Sequence, residues 1–390
     1  MSLYPRLILK PGKESSVERR HPWIFSGALK TIDENLADGE IVEVYSNQGK
    51  YLATGHFQQG SIMVRVLSFE QMPIDETFWE KRLKTALKYR ESIGLLKNKG
   101  TNAYRLVNAE GDCLPGLVID IYNGTAVLQA HSAGMERTKE SIAQALVNVL
   151  GEGVQAIYSK HPAKEHAGGD GYLWGKPLYD TVLENGNTFF INWEEGQKTG
   201  FFLDQRENRQ LLAKYAKGKD VLNAFCYSGG FSVYALKAGA RSVWSVDSSK
   251  KAIDWTERNI GLNNIDVSRH KAVVSDVQEF LKQTKQEFEV MVLDPPAYAK
   301  HLSARHQAVQ GYKRLNVMGL SKVKKGGILF TFSCSQVVDA ELFSNTIMSA
   351  AIEANRNIRI MHRLGQPADH AVNIFHPEGS YLKGLVLYVE

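Results

Sequence analysis

Lys219–Ser249, KDVLNAFCYSGGFSVYALKAGARSVWSVDSS, is the stretch on which the fold turns. Val221–Phe225 is a short apolar run with a charged residue before it and Ser228-Gly229-Gly230 after it, the pattern of a buried parallel strand feeding a tight turn. Phe231, Tyr234, Ala235 and Ala238 then recur at helical spacing, and Gly239 stands where a C-cap glycine belongs. Ser242–Val246 reads as a second buried strand, ended by Asp247. Strand, glycine turn, helix, strand and acid supply what an adenosine-containing ligand needs: open backbone, a helix N-terminus and a carboxylate for ribose hydroxyls. Tyr227-Ser228-Gly229-Gly230 is not G-x-G-x-x-G, so it offers no pyrophosphate cradle. A nucleoside without phosphates fits better, S-adenosylmethionine being the usual one; the alternative is an ordinary glycine turn in an unrelated α/β sheet.

Outward from this unit, the chain continues as alternating helices and strands, predicting a doubly wound parallel sheet. Helices are expected at Ala252–Leu262, Val277–Lys282, Gln307–Val323 and Glu341–Asn355, and strands at Val267–Ala272, Glu289–Leu293 and Ile328–Phe332. Two closing strands, Ile358–Arg363 and Leu382–Tyr388, have no helix between them and are expected to pair antiparallel. Upstream, the first seventy or so residues read as short strands broken by Pro11-Gly12, Asn47-Gln48-Gly49 and Gln59-Gly60, a pattern that predicts a small β-barrel. The region from Asp75 to Gly171 reads as a mixed α+β connector, with strands at Ala103–Asn108, Leu117–Tyr122 and Thr125–Ala130 and a helix at Met135–Gly151.

At 390 residues the chain is too long for one core, and two or three domains are expected. Hydrophobic residues at 43% and charged residues at 23% exclude a disordered chain, and no apolar run is long enough to span a membrane. With no apolar leader at the N-terminus, cytoplasmic residence is expected. Cys113, Cys226 and Cys334 are odd in number and form no CxxC pairs, which argues against a disulfide framework and against bound zinc. The net charge of +5 permits nucleic-acid binding without requiring it. Residues 1–30 hold six Lys/Arg (Arg6, Lys10, Lys13, Arg19, Arg20, Lys30) against Glu14 and Glu18. There RRHPWIFSGAL interleaves basic and aromatic side chains as a surface that neutralises phosphates and stacks on bases would; a solvated basic loop with Trp23 and Phe25 in the core is the other reading.

Ligands of such sheets bind beyond the carboxyl ends of the strands, where Asp247, Asp276, Asp294-Pro295-Pro296 and Cys334 are all expected. Two reaction types compete. Adenine-N6 methylation uses an aromatic directly after the two prolines, but that place is Ala297, with Tyr298 one further on. Pyrimidine C5 methylation needs a thiolate to add at C6, and Cys334 in TFSCS is placed to do so.

Several long motifs resemble the bacterial 23S ribosomal RNA large-subunit methyltransferase I family, over essentially the full length: HPWIFSGAL (21–29), GQKTGFFLDQRENR (196–209), LNAFCYSGGFSVYAL (222–236), LDPPAYAK (293–300), GYKRLNVMGL (311–320), GGILFTFSCS (326–335) and ADHAVNIFHPEGSYLKG (368–384). The resemblance implies an RNA-binding PUA-like domain over 1–73, an α+β middle domain over 74–178 and a class I, Rossmann-like methyltransferase domain over 179–390. It implies S-adenosylmethionine as methyl donor and a cytosine C5 in 23S ribosomal RNA as acceptor. By the same resemblance Asn223, Phe225, Tyr227, Ser228 and Gly229 form the cofactor loop, with Asp247 on the ribose, Asp276 near the adenine and Gln205 close by. Asp294 and Pro295 bridge cofactor and base and Cys334 is the nucleophile, while Arg19, Arg20 and Trp23 of the basic, aromatic stretch and Tyr298 after the prolines are the candidates for contacting RNA. The family commonly has a lysine after the prolines, where this chain has Ala297. Asp294, His376 and Glu378 remain candidates for removing the C5 proton. No metal or membrane partner is expected, and a homodimer is left open. The competing functions are an RNA-binding protein with an inactive methyltransferase domain, and methylation of uracil C5 or guanine N7; a nicotinamide enzyme would need the pyrophosphate turn that is missing.

Overall fold

Short apolar runs bounded by turn residues become strands and the longer amphipathic runs become helices in the computed structural model, which describes residues 3–31, 35–162, 169–299 and 301–390. Two compact units result. The first comprises Met1–Val182, Ile191–Leu203 and Ala368–Gly379, and the second Leu183–Phe190, Asp204–Pro367 and Ser380–Glu390.

The second unit holds a seven-stranded sheet: β1 (Asp220–Ala224), β2 (Ser242–Asp247), β3 (His270–Val274), β4 (Phe288–Leu293), β5 (Val323–Ser333), β6 (Ile358–Leu364) and β7 (Lys383–Val389). Its spatial order is β3-β2-β1-β4-β5-β7-β6. β1 to β5 run parallel, and β7 is antiparallel to both β5 and β6. The helices are α1 (Arg206–Ala216), α2 (Gly230–Lys237), α3 (Lys250–Leu262), α4 (Val277–Gln283), α5 (Arg305–Lys322) and α6 (Ala340–Glu353). Leu222, Leu293, Leu329, Tyr312, Leu315 and Phe343 are among the fully buried side chains of the core between α4, α5, α6 and the sheet. Strand order reverses at β1, between β2 and β4, which opens a crevice at the carboxyl ends of these strands.

Two boundaries differ from expectation. β3 starts at His270 because the Asp266 carboxylate accepts the Ser268 amide (3.0 Å) and winds Val267–Arg269 into a 3-10 turn. The strand expected at Ile328–Phe332 starts earlier, at Val323, with Gly326-Gly327 inside it: the step from Phe288 to Val290 on β4 faces the step from Val323 to Ile328, so the extra residues bulge out and Gly326 takes φ +77°.

In the first unit, six strands between Arg6 and Ser68 form one sheet whose edge strands, Trp23–Phe25 and Leu29–Thr31, are joined by a single turn at Ser26–Ala28. Leu7, Leu9, Val42, Val44, Phe57 and Val64 fill its interior. Five further strands between Ala103 and Gly175 make a second sheet, covered by the helix Glu76–Ser92, whose N-cap Asp75 accepts the Phe78 amide (3.1 Å). The helix expected at Met135–Gly151 is two, Ala133–Arg137 and Lys139–Leu150, broken at Thr138, whose hydroxyl donates to the Gly134 carbonyl (2.8 Å). Segment 368–379 is fastened into this unit: the Arg105 amide donates to the Asp369 carboxylate (3.0 Å), Arg90 to the Asp369 carbonyl (2.6 Å) and Asn108 to the Ala371 carbonyl (2.9 Å).

Candidate active site

The glycine turn after β1 is set by backbone conformations that ordinary residues avoid. Phe225 and Tyr227 have φ of +61° and +47°, and Gly229 has +78°. A Cβ on Gly229 would come within 2.6 Å of the Thr256 methyl, so only glycine fits there. α3 fastens the loop from above: Thr256 donates to the Tyr227 carbonyl (2.8 Å) and Asn259 to the Ser228 carbonyl (2.8 Å). From β2, the Asp247 carboxylate accepts the Tyr227 amide at one oxygen (3.0 Å) and the Ser249 amide at the other (2.9 Å). Beneath the turn a buried polar relay crosses the sheet, with Asn223 donating to Ser232 (2.9 Å), Ser232 bonded to Ser245 (2.7 Å) and Ser245 to His270 (2.8 Å). Burial pushes the His270 pKa down to about 4. Two buried polar atoms at the turn, Ser228 Oγ and Asn223 Oδ1, have no protein hydrogen-bond partner. Asp276 is placed one strand away, where one oxygen caps α4 by accepting the Gln278 and Glu279 amides (2.9 and 3.0 Å).

A second group of residues gathers at the ends of β4, β5 and β7. Asp294 follows β4 and is bonded by Gln205 Nε2 (3.0 Å), whose own oxygen accepts from Asn208 (2.6 Å). Gln205 is therefore fixed to the Asp294 carboxylate. Pro295 is buried and Pro296 exposed. Cys334, half-buried, follows β5, and neighbouring Ser335 ties the two strand ends together: its hydroxyl bonds Tyr312 of α5 (2.9 Å) and accepts the Ala299 amide (3.4 Å) from the loop after the prolines. Lys383, opening β7, donates to the Ser335 carbonyl (2.7 Å) and the Tyr381 carbonyl (2.6 Å), and the Tyr381 hydroxyl donates to Asp204 (2.7 Å). Cys226 differs sharply from Cys334: it is buried under the turn, and burial pushes its thiol pKa far up. Tyr298 packs its ring against Tyr312 (centroids 4.7 Å apart) and against Gly311, so one face is committed to the protein.

The residues expected to meet RNA lie in the first unit. Arg19 and Arg20 are exposed, Arg20 with φ +62°. Trp23 is half-buried: its indole donates to Glu110 (2.9 Å), and its ring meets the edge of His376 at 4.4 Å. Phe25, 48% exposed beside it, is the open aromatic of this strand. Arg20, Phe69, Lys81, Arg82 and Phe375 help line a cleft of about 590 Å³. His376 and Glu378, two of the expected proton acceptors, belong to this unit, around His21 and Trp23. Sequence reasoning missed Asp204, Asn208, Tyr312, Ser335, Tyr381 and Lys383 as site residues. Asp204 works through Tyr381 and Lys383 through Ser335, partners 177 and 48 positions away in the chain.

A parallel sheet reversed at β1, a glycine turn without a phosphate cradle and an acid at the end of β2 define a methyltransferase of the S-adenosylmethionine-dependent class. The residues suit that cofactor: Gly229 leaves the close approach free of side chain, Ser228 Oγ and Asn223 Oδ1 are polar atoms without protein partners, and Asp247 supplies a carboxylate. Comparison with known proteins agrees. Residues 7–69 match a PUA-like domain, and residues 106–376 match an S-adenosylmethionine-dependent methyltransferase model. The proteins named ribosomal RNA large subunit methyltransferase I from Aeromonas hydrophila and Vibrio parahaemolyticus are 41% and 39% identical to this chain, each match covering 98% of it and 98% and 99% of the relative. The fold superposes on an S-adenosylmethionine-dependent methyltransferase from Streptococcus mutans with a TM-score of 0.86 over 98% of this chain and 100% of that one, at 24% identity. A methyltransferase solved in complex with SAH matches with the same score, identity and coverage. The chain belongs to the ribosomal RNA large subunit methyltransferase I family. Among the described residues, no helix is long and apolar enough to cross a membrane.

Proposed function

We propose that this protein methylates C5 of a cytosine in large-subunit ribosomal RNA, with Cys334 as nucleophile. The substrate class is taken from the relatives, which are named for ribosomal RNA of the large subunit. The observation that carries the choice of chemistry is a half-buried cysteine at the end of β5, beside the Asp294 strand end and tied to it through Ser335. C5 of a cytosine is a poor nucleophile until a thiolate adds to C6. In this reading the Cys334 sulfur forms a bond to C6, and the C5–C6 double bond becomes an electron-rich centre at C5. Bound S-adenosylmethionine supplies an electrophilic methyl group. Asp294, held by Gln205, orients the base through its exocyclic and ring nitrogens. Loss of the C5 proton to a base then breaks the sulfur–C6 bond and returns the thiolate.

Asp247, with Asn223, Phe225, Tyr227, Ser228 and Gly229, holds the nucleoside of the cofactor, and Asp276 lies toward the adenine. Arg19, Arg20 and the open Phe25 give the first unit a basic, aromatic surface that suits RNA, and residues 1–73, 74–178 and 179–390 divide RNA binding, connection and chemistry among them. Trp23, half-buried and fixed by its bond to Glu110, lies beside Phe25 on that surface.

The test is methyl transfer from labelled S-adenosylmethionine to ribosomal RNA, with nucleoside analysis of the product. Cys334→Ala should lose at least about 10³-fold in rate while binding the cofactor normally by calorimetry. Undiminished incorporation would falsify the covalent role, and a product other than 5-methylcytidine would overturn the choice of base.

A further inference from the structure

We propose that Lys383 is the cation that prepares Cys334 for attack, a positioning residue that acts through the thiol. The inference rests on the covalent reading of Cys334 above. Register places it: in the antiparallel pairing of β5 with β7, Lys383 stands opposite Ser333, the residue before Cys334. Its ammonium donates to the carbonyl of Ser335, the residue after Cys334, at 2.7 Å, and to the Tyr381 carbonyl at 2.6 Å. The lysine backbone thus stands beside the residue before the thiol, and its ammonium is held on the carbonyl of the residue after it by neutral oxygens that fix its position without cancelling its charge.

Lys383 is only 9% exposed. Burying an ammonium on neutral acceptors alone is costly, and the cost falls when an anion forms beside it. Burial accordingly pushes the Lys383 pKa down to about 8, while Cys334 and Asp339 act in the opposite direction. Asp339 already accepts the Leu342 amide (2.8 Å) as the cap of α6. Tyr312 of α5, which bears on Cys334 from another element, has its own hydroxyl bonded to Ser335 and its pKa raised by burial, so it contributes no anion near neutrality. Of these neighbours, Cys334 is the one whose ionisation gives the buried ammonium an adjacent partner. The same attraction acts in reverse, since a nearby ammonium favours the thiolate over the thiol.

A purely mechanical role, in which Lys383 clamps the strand ends, makes a different prediction. Lys383→Gln keeps a donor for the carbonyls and removes the charge, whereas Lys383→Arg keeps the charge. The experiment measures the rate at which iodoacetamide alkylates Cys334, followed by peptide mass spectrometry from about pH 6 to 10 in the full chain without RNA. The sulfur–carbon bond forms from the thiolate as iodide leaves, so the rate profile reports ionisation. Lys383→Gln should move the midpoint up by about one pH unit and slow alkylation near neutrality by about tenfold, with Lys383→Arg close to the parent protein. An unshifted profile in Lys383→Gln overturns the proposal, and so does an equal shift in both variants, which would mean a clamp. Calorimetric titration with S-adenosylmethionine confirms that each variant is folded. Failure of the covalent reading shows separately, as methylation surviving Cys334→Ala, because alkylation needs neither RNA nor methyl transfer.

Discussion

Tyr227–Gly230 is held by residues close in the chain, with Asp247, Thr256 and Asn259 lying 20, 29 and 31 positions from the atoms they bond. Asp294 and Cys334 are held from afar: Gln205 lies 89 positions from Asp294, Lys383 lies 48 from Ser335, and Tyr381 lies 177 from Asp204. In the proposed site the cofactor side is a local backbone shape, and the reaction side is a convergence of distant side chains. Damage to the first should therefore appear in binding and stability, and damage to the second in turnover.

The largest separation is expected at Asp294. Asp294→Asn should lower turnover by roughly 10²-fold or more, with a much smaller change in cofactor affinity, measured by single-turnover methylation beside calorimetry. Gln205→Ala should cost less alone and almost nothing extra in the double variant, because it acts through the Asp294 carboxylate; full additivity would break the picture of one coupled unit. Gly229→Ala should reverse the balance. Its positive φ and the 2.6 Å approach to Thr256 make the added methyl destabilising by about 1–3 kcal/mol, read as a lower urea midpoint and weaker cofactor binding. A variant with normal affinity and lost turnover would erase the distinction between the two sides.

The smallest effect is the pH response of the relay under the turn. His270 is held near a pKa of about 4 against an ordinary 6.5, so between these values the unfolded chain binds more protons than the folded one. Its share of the stability is full above about pH 6.5 and is lost as the pH falls toward 4. His270→Gln should flatten the decline in urea midpoint between about pH 6.5 and pH 4.

The same contrast explains what could be read in advance. The strand–turn–helix–strand unit was legible because its apolar run, glycines and terminal acid are neighbours in the chain, and the resemblance of whole motifs carried the family. Gln205 was named in advance as a candidate but not as the partner of Asp294, since nothing at position 205 announces which strand end it will face. Lys383 carried no signal: a lysine before an apolar strand reads as a solvated flank, and only the insertion of β7 between β5 and β6 buries it. The contact of Trp23 with His376 was not legible either, because the segment 368–379 that carries His376 lies about 350 positions away in the chain.

That insertion also sets an order of events in folding. β7 follows every other strand of its sheet in the chain, yet it occupies an inner place, so β5 and β6 keep open edges until it arrives. The charge assigned to Cys334 arrives with it, on the first residue of the strand. A nascent or partly folded chain therefore carries Cys334 as an ordinary, sluggish thiol, and the most oxidisable form of the side chain appears only once the sheet has closed around it.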